Sequence, residues 1–172
     1  FEHPRYYSHN TRVSKLLKLL EEQFPHHKFH FEFSQDLNHA LIGLYTSDST
    51  NFELVKYDAS THKLVSLSSL LSTPVQPSND VTFTKSIPIH YRVSDGMLNH
   101  GYLWLPHGIT LSKAPLVTLV HGGPWTRDVG ISCVACQFLN SLGYIVFQPN
   151  FRSSWGYGIN YSLAANGDFG DG

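Results

Sequence analysis

The sequence predicts a two-part chain: an amphipathic helix with a four-stranded antiparallel meander of the β-propeller-blade type, then a mixed α/β unit built around a strand–helix–strand crossover. Three observations carry this prediction. A leucine stripe with helical spacing opens the chain, and four short strand-like runs follow at about ten-residue intervals. Past a proline-bearing break, two apolar runs flank a second helical pattern, as a βαβ unit requires.

The helix is predicted from "TRVSKLLKLLEEQFP", where Val13, Leu16, Leu17, Leu20 and Phe24 recur at helical steps with Lys15, Lys18, Glu21 and Glu22 between them. Pro25 stops it. Its polar face carries both signs of charge, which favours packing on a neighbouring element over lying on a membrane surface. The meander consists of "HKFHFEF", "HALIGLYT", "FELVKYD" and "KLVSLSS", separated by segments rich in Ser, Asp and Asn, which turn the chain by bonding their own backbone. One such set fits one blade of a propeller; a meander in some other all-β module is the alternative. His26, His27 and His30 precede the first strand without ligand spacing and read as surface residues.

"STPVQPSND", residues 72–80, reads as a break between domains. The expected boundaries are a first part over 1–73, a linker over 74–80 and a second part over 81–172. Within the second part, "IPIHYRV" and "MLNHGYLWLP" flank an Asp-Gly pair and predict a hairpin with a two-residue turn. "APLVTLV" is apolar on both faces, as a strand inside a covered parallel sheet must be. Ile131, Val134, Ala135, Phe138, Leu139 and Leu142 then predict a helix, capped by Asp128 and closed by Gly143. "YIVFQPN" completes the crossover as a second buried strand.

Composition narrows the function. The chain has 172 residues, is 41% hydrophobic and has a formal net charge of -1, with Lys and Arg scattered. That leaves no basic face for nucleic acid and no polybasic membrane patch. No apolar run reaches the ~20 residues that span a bilayer, and the N-terminus is not built like a signal peptide, so a soluble, cytoplasmic protein is expected. Because the chain begins with Phe and has only Met97, it is expected to be a piece of something longer.

The chemistry concentrates in "LVTLVHGGPWTRD". After a strand of a βαβ unit, the turn lies at the carboxyl edge of the sheet, where ligands bind. Glycines there let the backbone approach a ligand and leave N–H groups free to face it. Acyl transfer needs such donors for the oxyanion of its tetrahedral intermediate, and HGG loops supply one of them in α/β-hydrolases. A tight strand-to-helix turn with no ligand would also explain the glycines.

"YRVSDGMLNHGYLWLP", "VTLVHGGPWTRD" and "QFLNSLGYIVFQPNFRSSWGYG" together resemble the start of the catalytic domain of the prolyl oligopeptidase family of serine peptidases, in its acylaminoacyl-peptidase and dipeptidyl-aminopeptidase-like branch. The resemblance spans most of the chain and is strongest over residues 92–158. It implies the last blade of a propeller followed by the N-terminal half of an α/β-hydrolase domain, and hydrolysis of short peptides near their N-terminus through an acyl-enzyme. It also implies that Gly122 and Gly123 contribute to the oxyanion hole, that Trp125 and Tyr157 line the nearby cleft, that His121 and Pro124 shape the loop, and that Arg152 braces it through backbone carbonyls. A peptide substrate and the remainder of both domains are the implied partners, with oligomers allowed and no cofactor or metal.

Two departures qualify this. Ser153 stands where the family has glycine, and would be strained if that position needs a positive φ. No G-x-S-x-G elbow occurs, so none of the Ser/Asp/His triad is expected in this chain. An esterase or lipase, or a non-catalytic interaction module, remains the alternative. Cys133 and Cys136 could be a redox pair or half a zinc site, but inside the crossover helix they read as small buried residues. Asn160-Tyr161-Ser162 matches a glycosylation sequon.

Overall fold

The structure, a computed structural model, describes residues 6–49, 52–70, 82–131 and 133–168. The expected linker over 74–80 lies outside the described residues. The chain divides into two compact units that meet in sequence near Phe83.

The first unit opens with α1 (Thr11–Gln23). Asn10 caps it, its side chain accepting from the Arg12 and Val13 amides. Strands β1 (Lys28–Phe33), β2 (His39–Tyr45), β3 (Phe52–Asp58) and β4 (Lys63–Ser66) form an antiparallel sheet in sequence order. Ala40 lies opposite Tyr57 and Ile42 opposite Val55, so the alternation of the strands puts these residues on one face. Leu16 and Leu20 of α1 join them and Leu44 in a single core cluster. Burying each of these leucines stabilises the unit by about 1.5–3 kcal/mol. The helix therefore covers its own sheet. Turns between the strands are closed by side chains: Asp36 accepts from the Asn38 amide and from the Ser34 hydroxyl, and Asp58 does the same for Ser60.

The second unit contains β5 (Ser86–Arg92), β6 (Leu98–Trp104), β7 (Leu116–Thr118), α2 (Val134–Ser141), β8 (Ile145–Asn150) and α3 (Ile159–Ser162). The sheet order is β5-β6-β8-β7, with β7 and β8 parallel across the α2 crossover and the other pairs antiparallel. Three expectations are corrected here. The β5–β6 hairpin closes through three residues, Ser94, Asp95 and Gly96: the Gly96 amide bonds Val93 O at 2.8 Å and Gly96 takes φ 85°. A type I turn followed by a left-handed residue fits these strands, so the Asp-Gly pair occupies its last two positions. β7 is an edge strand with Leu116 exposed, rather than a strand covered on both faces.

The third correction concerns α2. Its cap is Cys133, not Asp128, and its sheet-facing side holds Cys136 and Asn140. Val134, Phe138 and Leu142 point to solvent, Phe138 with 62% of its surface exposed. Polar contacts set this rotation. Gln137 bonds both the amide and carbonyl of Thr84, while Asn140 donates to the carbonyls of Trp104 and Tyr144. These bonds turn the polar side of the helix inward. As expected, Gly143 ends the helix: its amide bonds Asn140 O and the Tyr144 amide bonds Leu139 O, a Schellman closure. The apolar core of the unit is small, with Trp104, Cys136 and Val146 at its centre.

Candidate active site at the carboxyl ends of the parallel strands

The chain leaves β7 at Thr118 and β8 at Asn150, so the segment His121–Pro124 and the loop over 151–158 both issue from the carboxyl ends of the parallel pair. They are tied together by the Trp155 amide, which bonds Thr126 O at 3.0 Å. Gly122 and Gly123 are exposed, and among the described residues neither amide has an acceptor. Gly123 takes φ 138°, where a Cβ would lie 3.0 Å from both Trp125 N and Thr126 Cγ2. Only glycine fits that backbone without displacing it. Pro124 accepts from the Thr126 amide at 2.8 Å. Trp125, partly exposed, donates through Nε1 to Ser162 O at 3.2 Å.

His121 is held on three sides. Its Nε2 lies 3.0 Å from Ser154 Oγ, its Nδ1 lies 3.0 Å from Gly122 O, and its ring stacks on Phe151. This is not a nucleophile pair. Ser154 is fully buried, so no substrate reaches its hydroxyl, and the second imidazole nitrogen faces a carbonyl rather than the carboxylate of a triad. The histidine fastens the glycine loop to the loop after β8.

Beneath these loops lies a polar network that sequence reasoning missed. Asn150, with no exposed surface, accepts the Asp128 amide at 2.7 Å and donates to Asp128 O and to the Tyr157 hydroxyl, both at 2.8 Å. Its own carbonyl accepts from the Tyr161 hydroxyl. Arg127 donates to the Tyr157 hydroxyl at 2.9 Å and lies 4.3 Å over that ring. Gly156 has φ 89°, a left-handed backbone that favours glycine, and its missing Cβ leaves room for the Arg127 guanidinium. Burial pushes the Asp128 carboxyl up from its ordinary range, against the pull of His121 and Arg127. The Tyr157 and Tyr161 hydroxyls are likewise raised by burial, which keeps them neutral hydrogen-bonding groups. The only sequence signal for this network was the pair of polar residues, Gln148 and Asn150, in an otherwise apolar strand.

Other candidates move. Arg152 braces the loop through the Asp95 carboxylate, Nη2 to Oδ2 at 2.7 Å, and not through backbone carbonyls. Hairpin β5–β6 is thereby pinned to the loop after β8. Tyr157 is stacked on His100 at 4.1 Å and overlain by Arg127, so it acts inside the network instead of presenting its ring to a cleft. Ser153 does adopt φ 78°; its amide bonds Tyr161 O and its hydroxyl accepts from the Ala165 amide, which offsets the strain. Cys133 and Cys136 are disulfide-bonded at the first turn of α2, not small residues inside it. His30 lies within β1 rather than before it, with Glu32 beside it at 3.5 Å, and both side chains are largely exposed. No group of three His, Cys, Asp or Glu side chains suited to a metal occurs among the described residues. Nor is any helix among them long and apolar enough to cross a membrane.

Dipeptidyl aminopeptidase BIII of Pseudoxanthomonas mexicana is 37% identical over 89 residues, which is 48% of this chain and 13% of that protein. The chain is related to the prolyl oligopeptidase (S9) family of peptidases. Dipeptidyl peptidase family member 6 of Caenorhabditis elegans is 33% identical over 111 residues, 52% of this chain and 15% of that S9 relative. The chain thus spans a small part of the length of the S9 relatives it matches. No family model matches it. In fold it is similar to a solved puromycin hydrolase, with a TM-score of 0.66 and 20% identity over 82% of this chain and 22% of that one. The acylaminoacyl peptidase of Pyrococcus horikoshii has a TM-score of 0.53 and 23% identity over 81% of this chain and 21% of that one.

Proposed function

We propose that this chain forms the oxyanion-binding part of a serine peptidase that hydrolyses aminoacyl or acyl-aminoacyl peptide bonds through an acyl-enzyme. The observation that carries the reading is the pair of exposed amides of Gly122 and Gly123 at the carboxyl end of β7, which have no acceptor among the described residues. Donors of this kind, ~2.7–3.1 Å from the developing oxyanion, contribute about 10²–10³ in turnover. Relatedness to dipeptidyl aminopeptidases supports the substrate class. His121, through Ser154, holds the donor loop, while Asn150 and Arg127 hold the floor beneath it. Residues 1–73 correspond in this reading to the last blade of a propeller and 81–172 to the first half of a hydrolase domain, joined by a linker over 74–80. The nucleophile, the acid and the catalytic histidine lie outside the 172 residues, because the sequence contains no serine elbow.

Two measurements test this. The 172-residue chain should neither hydrolyse aminoacyl nitroanilides nor take up a fluorophosphonate probe, whereas a longer natural chain carrying a serine elbow should do both. Labelling of the short chain, or an inert longer chain, overturns the assignment. Within the longer chain, Gly123→Ala, whose Cβ displaces the backbone that aims the amide, should lower kcat, by at most about 10²–10³, with little change in KM. Undiminished kcat removes Gly123 from the oxyanion role. Proline is unsuitable there, since it fixes φ near about −65° where Gly123 needs 138°. Limited proteolysis should cut first within 72–80, and early cutting inside β7-α2-β8 would overturn the boundary.

A further inference from the structure

The disulfide at the start of α2 has the arrangement of an exchange site. Cys133 is the N-cap residue and Cys136 stands in the first turn. Their surroundings differ. Cys136 has no exposed surface and packs against Trp104 and Val146, whereas Cys133 is only partly buried. Cys133 also touches this cluster but keeps exposed surface, so of the two it is the residue open to an attacking thiolate. The reachable sulfur also has donors around it: the Cys136 amide at 3.1 Å and Gln148 Nε2 at 3.8 Å, with the positive end of the helix dipole behind them. The same Gln148 nitrogen reaches Asp128 Oδ1 at 3.4 Å, and Asp128 Oδ2 is buried without a partner among the described residues. Gln148 is fixed in turn by Trp104, whose Nε1 donates to its Oε1 at 2.8 Å. Because the cysteines are three apart in sequence, the closed loop is short and constrains the unfolded chain less than a long one would. The linkage is therefore better suited to exchange than to holding the fold.

We propose that Cys133–Cys136 is a thiol–disulfide exchange site that takes its electrons from a dithiol, with Cys133 as the sulfur attacked. In the first step a thiolate of the dithiol attacks Cys133 Sγ, the Cys133–Cys136 bond breaks, and Cys136 leaves as a thiolate that takes up a proton. In the second, the other thiolate of the dithiol attacks its own sulfur in the mixed disulfide and Cys133 leaves as a thiolate. The dithiol ends as a disulfide and the protein pair as two thiols, a transfer of two electrons. Cys133 is left where the Cys136 amide, Gln148 and the helix dipole favour its thiolate; the buried surroundings of Cys136 favour its protonated form. The peptidase reading plays no part in this, and the two stand or fall separately.

The test uses the native 172-residue chain. Incubated with dithiothreitol or with reduced thioredoxin and then alkylated without denaturant, it should gain one alkyl group, on Cys133, and a second on Cys136 only after denaturation. Reduction by both reagents indicates a site open to protein dithiols; reduction by dithiothreitol alone indicates a small-molecule dithiol. Emission of Trp104 should rise on reduction, since a disulfide beside an indole quenches it, and the rise should be absent from a Cys133→Ser/Cys136→Ser double variant. A Cys136→Ser chain should trap oxidised glutathione as a mixed disulfide on Cys133, and a Cys133→Ser chain should not trap it on Cys136. The proposal fails if the oxidised chain contains two free thiols, if the pair resists both dithiols until the chain is denatured, or if Cys136 is alkylated first. The wild-type measurements decide the matter even if a variant does not fold.

Discussion

The helix of each unit carries an apolar stripe, and the two stripes end up in opposite places. In the first unit Leu16 and Leu20 lie against Ile42 and Val55, and the helix and its sheet share one apolar core. In the second, Val134 and Phe138 face solvent while Gln137 and Asn140 fasten the helix to Thr84, Trp104 and Tyr144. The first unit is held by area removed from water, and the second, around its smaller core, by buried hydrogen bonds. Such bonds contribute modestly when made and are costly when one partner is lost. The two halves should therefore respond differently to the same kind of perturbation. A convenient asymmetry helps: Trp104, Trp125 and Trp155, the only tryptophans, all lie in the second unit. Tryptophan emission thus reads that unit alone.

The largest effect should come from Leu20→Ala. Leu20 is fully buried, and the cavity left by such a truncation costs about 2–5 kcal/mol. Urea unfolding followed by far-ultraviolet circular dichroism should show an early transition, while the tryptophan-monitored transition stays in place. A matching shift in the tryptophan signal would mean that the units unfold as one.

Asn150→Ala should invert that pattern. It strips partners from the Asp128 amide and carbonyl and from the Tyr157 hydroxyl, each buried polar group costing about 1–3 kcal/mol when unpaired, less wherever water enters. The tryptophan transition should move by roughly 2–4 kcal/mol and the first unit should not respond. Phe138→Glu sharpens the contrast. On an exposed position it should change stability by no more than about 0.5 kcal/mol, yet lower concentration-dependent self-association seen by sedimentation velocity, because it breaks up the exposed apolar stripe of Val134, Phe138 and Leu142. A strictly monomeric wild-type chain would contradict the association, and a large loss of stability would show that Phe138 is covered.

Acid gives the smallest effect. Burial, with His90 beside it, pushes His100 down to about 4 from an ordinary 6.5. The unfolded chain therefore takes up this proton first, so the contribution of His100 is complete above about pH 6.5 and is lost as pH falls towards 4. Asp128, raised by burial, works in the opposite direction, so the informative quantity is a difference. A His100→Phe chain should have a flatter tryptophan-monitored stability profile than wild type between pH 6.5 and 4. In the first unit, the Asn38 amide and the Ser34 hydroxyl hold Asp36 down to about 2. Its contribution is present above its ordinary 3.8 and is lost only as pH falls below that value. Equal profiles for the two His100 chains would place the imidazole in water.

The contrast between the units also explains what the sequence could reveal. α1, the four-strand meander and the βαβ order were readable because apolar period and turn chemistry are local properties of the chain. The rotation of α2 was not, because a stripe records that a face is apolar without saying what covers it. Three polar contacts, from Gln137 and Asn140 to residues as far away in sequence as Thr84, decided the matter. For the site, the glycine loop was legible as a turn at the carboxyl end of a strand whose amides are free to face a ligand. Asn150 and Arg127 were not, since a buried asparagine at a strand end looks like any other until its partners arrive from three segments. Arg152 was recognised as a brace, but its partner Asp95 lies in a hairpin 57 residues earlier. The hairpin itself was misjudged by one residue, because the same Asp-Gly pair serves two loop lengths.

Ser153 narrows what mutation can do at that position. Its left-handed backbone costs a side chain about 1–2 kcal/mol, and the bond from the Ala165 amide to its hydroxyl returns about 0.5–1.5. Exchange for glycine relieves the first term and forfeits the second, so the two residues are close to interchangeable in stability. Alanine forfeits the bond and keeps the strain, and a β-branched residue adds to it. In a library of variants the position should accept two residue types and reject most of the remainder, on backbone conformation alone.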